Sequence, residues 1–268
     1  MGADPQTVIL IPARYGSSRF PGKPLAGLRG ATGESRSLIE RSWQAACAVP
    51  GVDAVYVATD DARIQDAALG FGAQVVMTNP ACANGTERCA DAIARLGISP
   101  RVVVNLQGDA PLTPPWFVTA LIEAVAGGAQ MATPVLRLTP ETHARFLDDR
   151  AAGRVGGTTA VMDAQGWALY FSKEVLPFTG RRYGAGEQVP AFHHVGVYAY
   201  TPQALAAYMA AGPCDLEILE GLEQLRFLYN GMPVTCVEVE ARGRAFWELN
   251  NPEDVPLIET VLQGEGIA

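Results

Sequence analysis

Three cations fall within one short stretch near the amino end of this chain, Arg14, Arg19 and Lys23 in IPARYGSSRFPGKPL (residues 11–25). The chain as a whole has a formal charge of −8. Positive charge concentrated on a Gly- and Pro-rich loop of an acidic protein points to a phosphate-rich ligand. A second candidate is Asp109 in LQGDAP (106–111), just past an apolar run. A carboxylate at the carboxyl end of a central parallel strand is well placed for a metal-bound triphosphate, although the tripeptide alone equally suits a turn. In Asn84-Gly85-Thr86-Glu87-Arg88, exposed N–H and C=O groups could read the Watson–Crick edge of a pyrimidine; the same residues could simply cap a helix, and the two roles are compatible. His193 and His194 are adjacent on a strand pattern. They therefore point to opposite faces and cannot jointly hold one metal. There is no zinc-ligand spacing and no G-x-S-x-G elbow.

The cationic loop is not one of the common phosphate-binding motifs. Gly16 and Gly22 enclose five residues where a P-loop has four, and Lys23 is followed by Pro24 where a P-loop needs a hydroxyl for magnesium. Gly27, Gly30 and Gly33 have the wrong spacing for a dinucleotide fingerprint. By composition alone the loop could be a solvated surface connection.

The elements that must position these groups alternate. Residues 8–11 (VILI) read as a buried parallel strand that stops at Pro12; a helix pattern resumes only near Leu38. Then come a helix over 38–48, a strand over 54–58, a helix over 62–71, a strand over 74–77, a helix over 87–96, a strand over 102–106 and a helix over 116–126. Such β-α-β alternation with short connections predicts a Rossmann-like, doubly wound, mostly parallel α/β sheet. From Met131 the pattern changes: strands over 131–138, 158–162 and 167–171, the last two joined at Asp163-Ala164-Gln165-Gly166 as a hairpin. Residues 177–191 read as a mobile loop, 194–200 as a strand, 202–210 as a helix, 217–229 as a longer helix and 234–239 as a strand; a short helix starts near Pro252, capped by Asn250 or Asn251. With no internal repeat or low-complexity linker, residues 1–268 are expected to form a single domain, with about 131–200 an inserted β-rich substrate-side and dimerisation region.

Composition fits that picture. At 268 residues, 49% hydrophobic and 18% charged, the chain can bury a substantial core. No apolar run approaches the roughly 18 residues of a membrane span, and MGADPQ lacks the basic region of a signal peptide. Five scattered cysteines without a C-x-x-C pair read as reduced thiols of a cytoplasmic protein. The acidic balance argues against nonspecific nucleic-acid binding.

IPARYGSSRFPGKPL resembles the opening signature of the CMP-Kdo synthetases, the 3-deoxy-manno-octulosonate cytidylyltransferases of the sugar nucleotidyltransferase superfamily. Further matches extend the resemblance over most of the chain. It implies a nucleotide-diphospho-sugar transferase type of fold and a homodimer. It also implies Mg²⁺-dependent transfer of CMP from CTP to a 3-deoxy-2-ulosonic acid, Kdo above all, with release of pyrophosphate for lipopolysaccharide or surface polysaccharide synthesis. By the same resemblance Pro12, Ala13, Arg14, Arg19 and Lys23 bind the nucleotide, Arg14 and Lys23 gripping the phosphates. QGDAP matches the family's QGD-x-P, so Asp109 would hold Mg²⁺ and Gln107 face nucleotide and sugar. Asn84-Gly85-Thr86-Glu87-Arg88 resembles S-G-T-E-R near the cytosine. FHHVGVYAY (192–200) resembles H-L-G-I-Y-G-Y, matching His194 and Tyr198 on the sugar side. LEQLR (222–226) matches with Glu223 and Gln224 towards sugar hydroxyls. ALYFSKEVLPF (168–178) resembles ALYFSR…IP, with Lys173 where the basic residue approaches the sugar-acid carboxylate, supplemented by Arg181 and Arg182.

Two departures stand out. LNNPEDV (249–255) replaces V-D-T-P-E-D-L, so Asn250 takes the place of the second magnesium carboxylate. An amide oxygen can still ligate, but one negative charge is gone, worth about 4 kcal/mol at ~4 Å and an effective dielectric near ~20. RVGGTTAV (154–161) replaces N-P-N-x-V-K, which leaves the identity of the acceptor open. Alternatives are a different sugar acid or sugar phosphate, or a CTP-binding homologue with little turnover.

Overall fold

Alternation along one strand assigns six of the helices their side of the sheet. In β1 (Thr7–Ala13), Ile9 and Ile11 face one core with α1 (Leu38–Cys47), α2 (Ala62–Gly70) and α4 (Pro115–Ala126). Val8 and Leu10 face another with α3 (Gly85–Leu96), α6 (Pro202–Ala211) and α8 (Leu225–Tyr229). This period-two division of a fully buried strand is what winds helices over both faces. The computed structural model describes residues 5–16, 20–244 and 246–268; Arg19 lies outside the described residues.

The first half of the sheet is parallel: β5 (Gln74–Met77), β4 (Ala54–Thr59), β1 and β6 (Val102–Leu106) lie side by side in that order. Beyond β6 the pairing turns antiparallel, through β11 (Val197–Tyr200), β7 (Met131–Arg137), β10 (Phe192–His194), β8 (Thr159–Met162) and β9 (Ala168–Ser172). β12 (Thr235–Glu238) joins β7 in parallel. The mixed α/β architecture agrees with expectation, and the antiparallel strands β7 to β11 all fall within residues 131–200. Among the described residues no helix is long and apolar enough to cross a membrane.

Several boundaries differ from those the sequence suggests. β1 continues through Pro12 to Ala13 because β4 pairs with it as far as Ala13, while β6 pairs only with Thr7–Leu10 and leaves the proline beyond its ladder. The strand expected over 194–200 divides at Val195 and Gly196 into β10 and β11. The helix expected over 217–229 breaks at Gly221, whose φ of 63° ends α7 (Asp215–Glu220) before α8 begins. A two-stranded hairpin of β2 (Gly27–Arg29) and β3 (Ser35–Ser37), and the helix α5 (Pro140–Ala151), were not anticipated. The 177–191 loop forms no regular element. It is nevertheless anchored by buried Val189 and Ala191 against Phe146 of α5 and by an Arg182–Asp148 ion pair. The carboxyl-terminal helix α9 (Val255–Gly264) packs Ile258 and Leu262 against Leu28 of the hairpin and Leu38 of α1.

Candidate active site

The carboxyl ends of β1 and β6 open onto one cavity of about 700 Å³, lined on one side by Pro12, Ala13, Arg14 and Lys23 and on another by Gln107, Gly108 and Asp109. A backbone bond from Gly22 N–H to the Tyr15 carbonyl (3.0 Å) closes the cationic loop. Gly22 takes φ 72° there, with the Tyr15 ring pressed against it. A single 3-10 turn, Lys23–Leu25, follows. It aims Lys23 Nζ at Asp109 Oδ2, 2.7 Å away. Gly108 precedes that aspartate because the strands approach closely here: a Cβ at this position would lie 2.7 Å from the Pro12 carbonyl oxygen. Ser42 Oγ donates to the Gly108 carbonyl (3.0 Å), and Leu249 N–H donates to the Asp109 carbonyl (2.9 Å).

The opposite wall is the amino end of α3. Asn84 caps it, its Oδ1 accepting from Glu87 N–H (2.9 Å) while Nδ2 donates to Tyr208 Oη (2.8 Å) and Glu217 Oε1 (3.1 Å). The side-chain amide is thereby committed to the protein on both ends. What this loop offers a base is backbone. Gly85 lacks a Cβ that would come 2.8 Å from Gln107 Nε2. Gln107 Nε2 donates to Glu223 Oε1 (2.9 Å), and Thr86 N–H donates to Glu223 Oε2 (2.9 Å). Burial pushes the Glu223 carboxyl above its ordinary range, against these hydrogen bonds. Tyr198 Oη donates to Gln224 Oε1 (3.2 Å), and the Gln224 amide nitrogen is buried without a partner among the described residues. Behind them Arg226 joins Glu217 (2.7 Å) to Glu87 (2.9 Å), tying α7 to α3.

A carboxylate not singled out from sequence, Glu248, stands outside the cavity lining, behind Gly196 and within electrostatic reach of Asp109. Its Oε1 lies 3.0 Å from where a Gly196 Cβ would stand. Burial and then the charge of Asp109 push the Glu248 carboxyl up to about 7; the Lys23 charge, a hydrogen bond from the Asn250 side chain and one from the Gly196 backbone act in the opposite direction.

Eleven residues expected at the site line the one cavity: Pro12, Ala13, Arg14, Lys23, Asn84, Gly85, Gln107, Asp109, Tyr198, Glu223 and Gln224. His194 does not. It is buried behind Tyr198, stacked on that ring at 5.6 Å, with Nε2 3.0 Å from Thr133 Oγ1. Burial, reinforced by His193, pushes its imidazole down to about 3, so it supports the tyrosine wall as a neutral ring. Lys173 reaches the rim, its Nζ 2.9 Å from where a Gly221 Cβ would stand. Arg181 and Arg182 lie outside the lining, paired with Glu187 and Asp148. Asn250 is held through its backbone N–H by Asp254 Oδ2 (2.9 Å), which also receives Asn251 N–H (2.7 Å). Sequence reasoning passed over Glu217 and Arg226, although Arg226 stands inside LEQLR. It also passed over Glu248, two residues before Asn250 and hydrogen-bonded to it.

Among the described residues no group of three or more His, Cys, Asp and Glu gathers as a metal cluster. The donors at the Asp109 corner are oxygens, the chemistry of a hard cation, and Asp109 already holds one positive charge, the Lys23 ammonium.

Residues 8–238 match a family model described as cytidylyltransferase. A 3-deoxy-manno-octulosonate cytidylyltransferase of Maricaulis maris (strain MCS10) is 47% identical over 259 residues, 96% of this chain and 97% of the relative. An 8-amino-3,8-dideoxy-manno-octulosonate cytidylyltransferase of Shewanella sediminis (strain HAW-EB3) is 42% identical over 95% of this chain and 97% of the relative. A solved structure of CMP:2-keto-3-deoxy-manno-octonic acid synthetase complexed with CTP superposes with a TM-score of 0.81 at 30% identity, covering 97% of this chain and 99% of that one.

Proposed function

The chain belongs to the 3-deoxy-manno-octulosonate cytidylyltransferase family, and from that premise we propose that it transfers CMP from CTP to the anomeric hydroxyl of 3-deoxy-manno-octulosonate (Kdo), giving CMP-Kdo and pyrophosphate. The observation that carries this reading is the shared cavity: Arg14, Lys23 and Asp109 open onto the same space as the α3 amino end and the Gln107–Glu223 pair. Cations for a triphosphate and acceptors for sugar hydroxyls thus meet in one place.

In this reading the protein acts by positioning and by neutralising charge. Arg14 and Lys23 hold the phosphate oxygens, assisted by Arg19. The backbone of residues 84 and 85 meets the cytosine. Gln107, Tyr198, Glu223 and Gln224 orient the sugar acid, and Lys173 at the rim meets its carboxylate. Asp109, with Asn250 beside it, would hold Mg²⁺, whose role when bound is to polarise the α-phosphate and neutralise charge on the leaving pyrophosphate. Lys23 would then leave Asp109 for the triphosphate. The product would serve lipopolysaccharide or surface polysaccharide synthesis, with the enzyme a cytoplasmic homodimer.

A second reading keeps the reaction and changes the acceptor, favoured by the 42% identity to the relative named for the 8-amino sugar. Mass spectrometry of products from CTP, Mg²⁺ and a panel of ulosonic acids tests both. A CMP conjugate of Kdo is expected. No conjugate with any acid, despite CTP binding by calorimetry, would leave a binding protein without turnover. Asp109→Ala should lower pyrophosphate release by at least about a thousandfold, in line with loss of a charge-stabilising group.

A further inference from the structure

Given the reading of Asp109 as a magnesium ligand, on which this inference rests, we propose that Glu248 supplies the second carboxylate of the metal site and that Asn250 is its positioning partner. Three contacts place Glu248 there. The backbone of the neighbouring Leu249 is hydrogen-bonded to Asp109 itself, N–H to carbonyl at 2.9 Å, so residue 248 is fixed beside the aspartate by the chain. The Glu248 carboxylate accepts hydrogen bonds from the Gly196 backbone and from the Asn250 side chain, and it is within electrostatic reach of both Asp109 and Lys23. Gly196 makes the room: any Cβ there would stand 3.0 Å from Glu248 Oε1 and 4.0 Å from Gln107 Cγ. A half-buried carboxylate beside an aspartate offers oxygen donors fit for a hard divalent cation. An orienting hydrogen bond from a neighbouring amide is the usual second layer around such a ligand. The charge absent at position 250 is thereby restored from position 248.

Manganese tests this with a readout separate from turnover. Mn²⁺ binding to the full chain in the presence of CTP, without any sugar acid, is followed by loss of the free-ion electron paramagnetic resonance signal. The Glu248→Gln variant is isosteric, and thermal melting establishes that it is folded. We expect E248Q to weaken Mn²⁺ by at least about tenfold, and E248Q/N250D, which moves the carboxylate to position 250, to recover to within threefold of the natural chain. N250D alone should give no gain in affinity, because the carboxylate it adds comes with loss of the amide that orients Glu248; this arm keeps the test usable if E248Q does not fold. Affinity unchanged in E248Q while D109N loses binding would overturn the Glu248 assignment and leave the metal reading standing. A gain from N250D equal in the natural and E248Q backgrounds would overturn it too. If D109N retains the Mn²⁺ affinity of the natural chain, the reading of Asp109 and this inference fall together.

Discussion

Two glycines at the site are fixed by close approach, and they make different predictions. At Gly108 the atom that a Cβ would meet is backbone, the Pro12 carbonyl oxygen at 2.7 Å. Neither β1 nor β6 can give way, so Gly108→Ala should destabilise the protein by about 1–3 kcal/mol, read as a lower urea midpoint, and displace Asp109 as well. At Gly85 the nearest atom is the amide end of Gln107, 2.8 Å away, on a movable side chain. Gly85→Ala should therefore melt near the natural temperature while pushing Gln107 off Glu223, raising KM for the sugar acid by about tenfold, an effect of roughly 1.4 kcal/mol. Both glycines stood inside motifs legible in the sequence, QGD and NGTER. The pairing of Pro12 with Gly108, and of Gly85 with Gln107, was not legible, because each contact joins segments far apart in the chain. The same holds for Glu248: its environment is built by Gly196 and Asp109, and nothing local in ELNNP distinguishes it from a solvated acid.

At the level of elements, the β-α-β half could be read because β-branched runs and helical spacing agree with the positions the strands take. The second half could not be read so well where one glycine overrode a continuing pattern. The alternation of 194–200 carries on through Gly196, yet the chain divides at Val195 and Gly196, where a Cβ on the glycine would stand 3.0 Å from Glu248 Oε1. The helical spacing of 217–229 carries on through Gly221, yet φ of 63° turns the chain and presents Glu223 and Gln224 from a separate turn. Gly221→Ala should cost about 1–2 kcal/mol from the left-handed backbone alone. It would also push Lys173 Nζ, 2.9 Å from the new Cβ, off the rim. A lower melting temperature together with a raised KM for the sugar acid would confirm both parts. β10 makes a pH prediction. Burial holds His193 down to about 4 and His194 to about 3 when folded, whereas an unfolded histidine titrates near ~6.5. The unfolded chain therefore binds more protons below that value, and stability should fall as pH drops from about 6.5 towards 3. Urea midpoints between pH 7 and 4.5 should show this slope, and His194→Gln should flatten it.

At the scale of the whole molecule, the parallel half and the antiparallel half meet at β6, and the cavity lies across that seam. The groups proposed for the nucleotide come from the first half and those proposed for the sugar mostly from the second. At the far end of the antiparallel half, β9 is the last strand of the described sheet, and its edge carries Leu169 at 61% exposure, with Trp167 at 55% beside it and Phe178 at 92% a few residues on. The start of β9 is paired, with Trp167 bridging Thr235 and Ala168 N–H donating to the Val234 carbonyl (2.9 Å), but large exposed apolar side chains gathered on this outer strand invite another copy. The proposed homodimer would cover them, and a stable one needs on the order of 1,200 Å² or more of buried surface. Sedimentation of the natural chain should give twice the 28.4 kDa monomer mass. Leu169→Asp, which sets a charge into that edge, should shift it to monomer. Because Leu169 is not among the residues lining the cavity, CTP binding by calorimetry should survive in the monomer. A dimer of unchanged affinity in L169D would place the interface elsewhere on the surface, and a monomeric natural chain would remove the homodimer altogether.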